Sequence, residues 1–174
     1  VILATGCTPP KKKSPPPEKP KPINVVSENG DATWFGAAST HPRQWHVAWR
    51  KAVVSASEGA PTLGKMADVK GEIFQPKETK TFRSDQAIVQ GSNVLTLAGN
   101  VQVYSPSRRA TLKCDKLVYN ANQKVFDAQG NVSVKGKDID IAGIPEAMAD
   151  ADFKEISSPD LFSAPKEGHG PKAH

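Results

Sequence analysis

The chain has 174 residues, 24% charged and 37% hydrophobic, with 23 Lys and Arg against 18 Asp and Glu for a formal charge of +5. That is enough for one domain with tails, and the charge sits in the tails: residues 8–22 give +4 and 166–174 give +1, leaving 23–165 with 16 basic and 16 acidic residues. A neutral middle offers no basic stripe to a nucleic acid, and no run of about 20 apolar residues marks a transmembrane helix.

At the start of the chain, "VILATG" is an apolar run ending in a small residue, followed at once by Cys7. It reads as the end of a secretory signal. A Cys directly after it resembles a bacterial lipobox, although Ala4 stands where that motif most often has Leu. Cys7 is therefore expected to be acylated, and several acyl chains, each CH₂ contributing about 0.8 kcal/mol when buried, would hold the protein at a membrane. Residues 8–22 contain seven prolines and five lysines and no other apolar side chain, so they are expected to form an extended linker.

Residues 23–44 are weakly patterned, with a turn at "ENGD" (28–31) and a break at His41-Pro42; they are expected to be a weakly structured lead-in. From Trp45 the period becomes two, Trp45, Val47 and Trp49 alternating with His46, Ala48 and Arg50, which predicts a half-buried strand. "SEGAPTLG" interrupts, "KMADVKGEIFQ" places Val69, Gly71 and Ile73 on one face, and "QPKETK" is a polar turn.

A repeat follows. "FRSDQAIVQGSNVLTLAGNVQVYS" (82–105) and "RATLKCDKLVYNANQKVFDAQGNVSVKG" (109–136) share one grammar, their Asp residues 30 apart and their glycines 31 apart. Leu95, Leu97, Gly99, Val101 and Val103 share one parity, as do Phe126, Ala128, Gly130, Val132 and Val134. The other half of each unit breaks parity. With Leu112 and Cys114 inward, strict alternation would turn Leu117 and Tyr119 outward, so the strand must slip by one residue at Asp115-Lys116; Phe82 and Ser84 followed by Ala87 and Val89 require the same slip at Asp85-Gln86. A slip repeated at one place per unit is a β-bulge or strand corner. Asp85 and Asp115 suit an exposed corner because the carboxylate bonds local N–H groups. Gly99-Asn100 and Gly130-Asn131 suit the opposite bend because both residue types tolerate unusual backbone angles. These six residues are assigned an architectural role.

"GKDIDIAG" offers a short strand through Ile139 and Ile141, "EAMADADFKEI" after Pro145 about three turns of helix or none, and the tail from Glu167 is expected to be disordered. Stacked strands with corners predict an all-β, elongated sheet folded over an apolar inner surface, with open edge strands that invite pairing. Its domains run 1–7 (signal remnant), 8–22 (linker), 23–44 (lead-in), 45–143 (β domain) and 144–174 (short helix and tail).

Small-Asp-x-Leu-x-Tyr, a polar turn, then Ala-x-Gly-Asn-Val-x-Val, carried by Cys114, Asp115, Leu117, Tyr119, Ala128, Gly130, Asn131, Val132 and Val134, resembles the OstA-like proteins of lipopolysaccharide transport. The earlier copy carries it through Ser84, Asp85, Ala87, Val89, Gly99, Asn100, Val101 and Val103. "WHVAWRKAVV" and "VKGEIFQPKETKTFRSDQA" look closer to the LptC branch than to LptA. The resemblance covers about 45–143 and implies a twisted β-jellyroll, or β-taco, whose apolar groove holds lipid A acyl chains and whose edges join partner jellyrolls into a bridge between membranes. It implies a periplasmic protein of a diderm bacterium. The branch usually has a transmembrane anchor, whereas here the tether would be the lipidated Cys7. Under this reading Leu95, Leu97, Val101, Val103, Leu112, Leu117, Tyr119, Phe126, Val132 and Val134 line the groove.

The competing reading makes those residues ordinary core, in a lipid-anchored β-repeat scaffold of the envelope without lipid cargo. Trp45 and Trp49 are expected to anchor the core, and Cys114 to be a small filler without a disulfide. Asn131-Val132-Ser133 is a sequon explained by the corner. His41, His46, His169 and His174 lack metal-ligand spacing, no cofactor is implied, and no nucleophile elbow, phosphate loop or paired apolar carboxylates point to an enzyme.

Overall fold

The computed structural model describes residues 23–36, 42–56, 63–91 and 93–158; the expectations for the Cys7 segment, the 8–22 linker and the tail from Glu167 fall outside them. The described chain forms β1 (Ile23–Phe35), β2 (Arg43–Ala56), β3 (Leu63–Phe74), β4 (Thr79–Gln90), β5 (Val94–Ser105), β6 (Ala110–Asn120), β7 (Val125–Lys135), β8 (Asp140–Asp150) and the two-residue β9 (Ile156–Ser157). All nine join in chain order into one open antiparallel sheet, and no helix occurs among the described residues.

A flat sheet would place strands four apart in order about 19 Å from one another, at roughly 4.8 Å per strand. Yet the rings of Trp45 on β2 and Tyr119 on β6 meet edge to face with centroids 6.1 Å apart. The Lys80 ammonium on β4 likewise stands 5.5 Å from the ring of Phe153, just beyond β8. The sheet is therefore folded over, and the first half of one strand packs on the second half of another.

The fold line follows from the parity slips. On β6 the buried residues are Ala110, Leu112 and Cys114, then Leu117 and Tyr119; on β4 they are Phe82 and Ser84, then Ala87 and Val89. The β4–β5 register jumps between Arg83 and Gln86, and the β6–β7 register between Lys113 and Lys116. Each jump lets one strand change direction while both of its halves keep an apolar inner face. The core that results includes Trp45, Val47, Ile73, Leu95, Leu97, Leu112, Leu117, Phe126, Val132 and Val134, none measurably exposed. Gly71 lies on the same inner side because no side chain fits there: an added Cβ would run into the His46 carbonyl and the Phe82 ring.

Two expectations are corrected. Residues 23–35 are a 13-residue edge strand paired with β2 from Ile23↔Ala56 to Trp34↔Trp45, and β2 begins at Arg43. The lead-in is thus part of the sheet; its pattern is faint because Val25 and Val26 lie exposed on an edge. Residues 146–150 continue β8, and 151–155 form a turn rather than a helix. Alanine favours helix only weakly. Backbone pairing of Val125–Gln129 with Glu146–Asp150 prevails, with Ala147 and Ala149 buried at strand spacing and Met148 exposed. The domain accordingly extends past residue 143 at one end and before Trp45 at the other. Pro145 is tolerated on β8 because it falls at the irregular pairing between Gln129 and Val132.

Candidate functional site

The ten residues assigned to the groove come together in one buried cluster, each 3% exposed or less. Their inner face is closed on itself. Tyr119 links the halves through Trp45 on one side and Phe126 on the other, with the Tyr119–Phe126 centroids 4.9 Å apart, and Phe153 continues the aromatic row at 5.4 Å from Phe126. Burial holds the Tyr119 phenol above its ordinary range, against a smaller opposing pull from the Gln75 amide.

The six corner residues line the crease. Asn100 Nδ2 donates to Asp85 Oδ2 at 2.8 Å, and Asn131 Nδ2 donates to Asp115 Oδ2 at 2.7 Å. Each Gly-Asn pair takes left-handed angles, φ +74° and +47° at 99–100, and +73° and +47° at 130–131. Glycine is needed there twice over, since an added Cβ would also lie 2.5 Å from the facing carboxylate oxygen. Sequence reasoning missed two further positions with left-handed angles on this line, Asp68 and Gly143, and read a turn at 28–31 where Asn29 takes the same angle within the unbroken strand β1. Asp68 pairs with Arg50 of β2. Its signal was present in "MADVKG", where Met66 and Val69 are buried on either side of a slip, but the flanking β2 strand carries Arg where the repeats carry Asp.

Cys114 fills the place that Ser84 holds in the other copy. Burial, helped by the Asp115 charge, pushes its thiol up to about 12, outweighing backbone N–H groups of Gln129 and Lys116. At neutral pH it is a protonated, unreactive side chain.

"QPKETK" is a turn, but two of its charges point in. Lys80 is fully buried and Glu78 nearly so, and they form an ion pair. Lys80 Nζ also donates to Gln75 Oε1 at 2.7 Å. Glu78 accepts from the Ser105 hydroxyl at 3.1 and 3.0 Å and from the Ser107 N–H, tying the β3–β4 turn to the β5–β6 turn. Burial lowers the Lys80 ammonium to about 8 even though Asp152 and Asp150 pull it up. Composition gives no hint of a buried lysine, which became visible only when the turns met.

Above this pair, where the two lips of the folded sheet approach, lies a cavity of about 900 Å³. Its walls come from the start of β2, the β3–β4 turn, the β6–β7 turn and the segment after β8. Two edges of the sheet are also open: β1 pairs only with β2, and β8 beyond β7 meets β9 only at Met148 and Ala149. No group of three or more metal-ligating side chains gathers among the described residues, and no helix among them is long and apolar enough to cross a membrane.

A single antiparallel sheet folded on a line of Asp and Gly-Asn corners around an apolar inner face is the architecture of an all-β jellyroll of the taco type. Residues 66–148, from β3 through most of β8, match the family described as "LptC: Lipopolysaccharide-assembly, LptC-related". That likeness points to a role in lipopolysaccharide transport. No curated protein matches the chain.

Proposed function

We propose that the protein is a non-enzymatic component of lipopolysaccharide transport in the periplasm of a diderm bacterium, holding acyl chains on the inner face of its folded sheet and joining partner β-jellyrolls edge to edge. The observation that carries this reading is the continuous apolar inner face inside an LptC-related sheet. Chain carriage requires the two halves to part. The packing that closes them is largely side chain on side chain, with the backbone hydrogen bonds running between neighbouring strands rather than across the fold.

The open edges suit strand addition, in which main-chain bonds supply affinity. Both edges are acidic: β1 carries Glu28 and Asp31, β8 carries Asp140, Glu146 and Asp150, and neither has a basic residue. Like charges oppose pairing of β1 with β8 of a second copy, so the better partner is a different jellyroll with a basic edge. Anchoring through an acylated Cys7 completes the reading.

Photocrosslinking in cells, with the probe at Leu117 or at Val118, tests it. Leu117 faces inward and Val118 faces the other side of β6. Lipopolysaccharide attached at 117 and not at 118 is the expected result; none at either site in the folded protein would overturn it. The second reading, an envelope scaffold without cargo, is favoured by one observation, the full burial of the inner face. It predicts that absence.

A further inference from the structure

The outer face of the folded sheet differs between its two halves. β5 crosses the crease at Gly99-Asn100, so Thr96 faces outward on one half and Tyr104 on the other. The strand registers put Thr96 level with Ile88 on β4 and Val118 on β6. One strand further out stand Lys65 on β3 and Asp127 on β7, and beyond them Val53 on β2 and Met148 on β8. Ile88 is 36% exposed and Met148 53%, on a face that an antiparallel sheet usually gives to polar residues. The next row toward the crease centres on Ala98, with Gln86 and Lys116 beside it and Lys51 and Glu146 on β2 and β8. Lys51, Lys65 and Glu146 form no ion pair among the described residues, and Asp127 receives only a long contact, 3.5 Å from Gln129 Nε2.

Both rows are balanced about β5. When two copies are stacked face to face and related by a half-turn about an axis along β5, β4 of one lies over β6 of the other, β3 over β7 and β2 over β8. Ile88 then faces Val118, Lys65 faces Asp127, Val53 faces Met148, and Thr96 meets itself. In the second row Lys51 faces Glu146, Gln86 faces Lys116, and Ala98 meets itself. Every contact occurs twice, and no like charges oppose one another. A two-fold interface needs a patch that complements itself, and these rows do. The other half fails the same operation: Arg83 and Lys113 flank Gln102 on β4 and β6, so the half-turn sets one cation against the other twice over.

We propose that this outer face is a self-association surface, on which a second copy of the chain stacks about a two-fold axis along β5 in the manner of an aligned sheet-on-sheet packing. The inference goes beyond the transport reading and holds with or without cargo, since the contact uses neither the interior nor the lips and leaves the edges of β1 and β8 free. Seven strands about 4.8 Å apart and five residues of about 3.4 Å each make a face of roughly 570 Å² per copy, short of the ~800 Å² per partner of a stable complex. The pairing is therefore transient. Dilute chains stay monomeric, and association grows where copies are held close together.

Covalent capture tests it, because a short linker accumulates even a minor paired population. In the full chain with Cys7→Ser, and with Cys114 buried, a thiol introduced by Thr96→Cys stands at the axis. A bismaleimide with an ethylene spacer is expected to join two such chains at least about tenfold faster than two chains carrying Tyr104→Cys, although Tyr104 is 42% exposed on the same strand. Added to Thr96→Cys, Lys65→Asp sets carboxylate against carboxylate and Asp127→Lys ammonium against ammonium; each should slow capture by about tenfold. The two together re-form the pairs with signs exchanged and should restore the rate, which also shows that the variants are folded. Equal capture at 96 and 104, or none at 96, would overturn the proposal. So would single charge reversals without effect, or a double reversal no faster than the singles.

Discussion

Gly130→Ala tests the crease directly, and Gly143→Ala supplies its control. Both glycines have nearly the same backbone, φ +73° and +71°, but an added Cβ at 130 lies 2.5 Å from Asp115 Oδ2 while at 143 it meets nothing within 4 Å. The left-handed strain of about 1–2 kcal/mol is common to both and is offset by about 0.4–1 kcal/mol from the stiffer unfolded chain. Gly143→Ala should thus cost roughly 1 kcal/mol. At 130 the carboxylate must also move, losing its bond to Asn131 (about 1 kcal/mol) and crowding the corner (about 1 kcal/mol or more), for a total near 3 kcal/mol. Urea unfolding of the two variants measures the difference. Asp115→Ala in the Gly130→Ala background should recover about 1–2 kcal/mol relative to the sum of the single changes. Equal costs at 130 and 143, or no coupling with Asp115, would refute the account of why the repeat carries Gly opposite Asp.

Gly71→Val drives a branched side chain into the His46 carbonyl and the Phe82 ring and should cost more than about 3 kcal/mol, seen as loss of soluble folded protein by circular dichroism. Stability against pH carries two opposed signatures. With Lys80 at about 8 in the fold and 10.5 unfolded, the unfolded chain binds the extra proton between those values and stability rises with pH; with Cys114 at about 12 against 9.0, the folded state holds the extra proton above pH 9 and stability falls. The urea midpoint should climb from pH 8 to 9 and then level off. Lys80→Met should abolish the climb, and Cys114→Ala should extend it to pH 10. The acidic edges predict that the chain alone sediments as a monomer at low salt and that Glu28→Lys promotes self-association there; concentration-dependent sedimentation of both proteins decides it.

The centre of the fold was readable because β4 to β7 are each flanked on both sides and covered by the opposite half, so nearly every inward position is apolar and the slips at Asp85 and Asp115 stand out against that regularity. Legibility failed at the margins, where that physics fades. β1 has one neighbour and turns Val25 and Val26 to solvent. β8 buries alanines rather than large residues, so Ala147, Ala149, Ala151 and Phe153, a run of period two, passed for helix. Within the site, the apolar face was visible residue by residue. Glu78 and Lys80 were not, because a charged pair in a turn looks the same in sequence whether it faces water or is shut beneath Phe153.

Each corner is shared by two strands, the Asp on one and the Gly-Asn on the next, so the complete unit of construction is a hairpin. Removing or adding a single strand would reverse the direction of all that follows and leave one Asp facing another. Two strands at once preserve both direction and crease. A protein built this way changes length in steps of about 10 Å, and any span it has to cover is met by a whole number of hairpins rather than by adjusting loops.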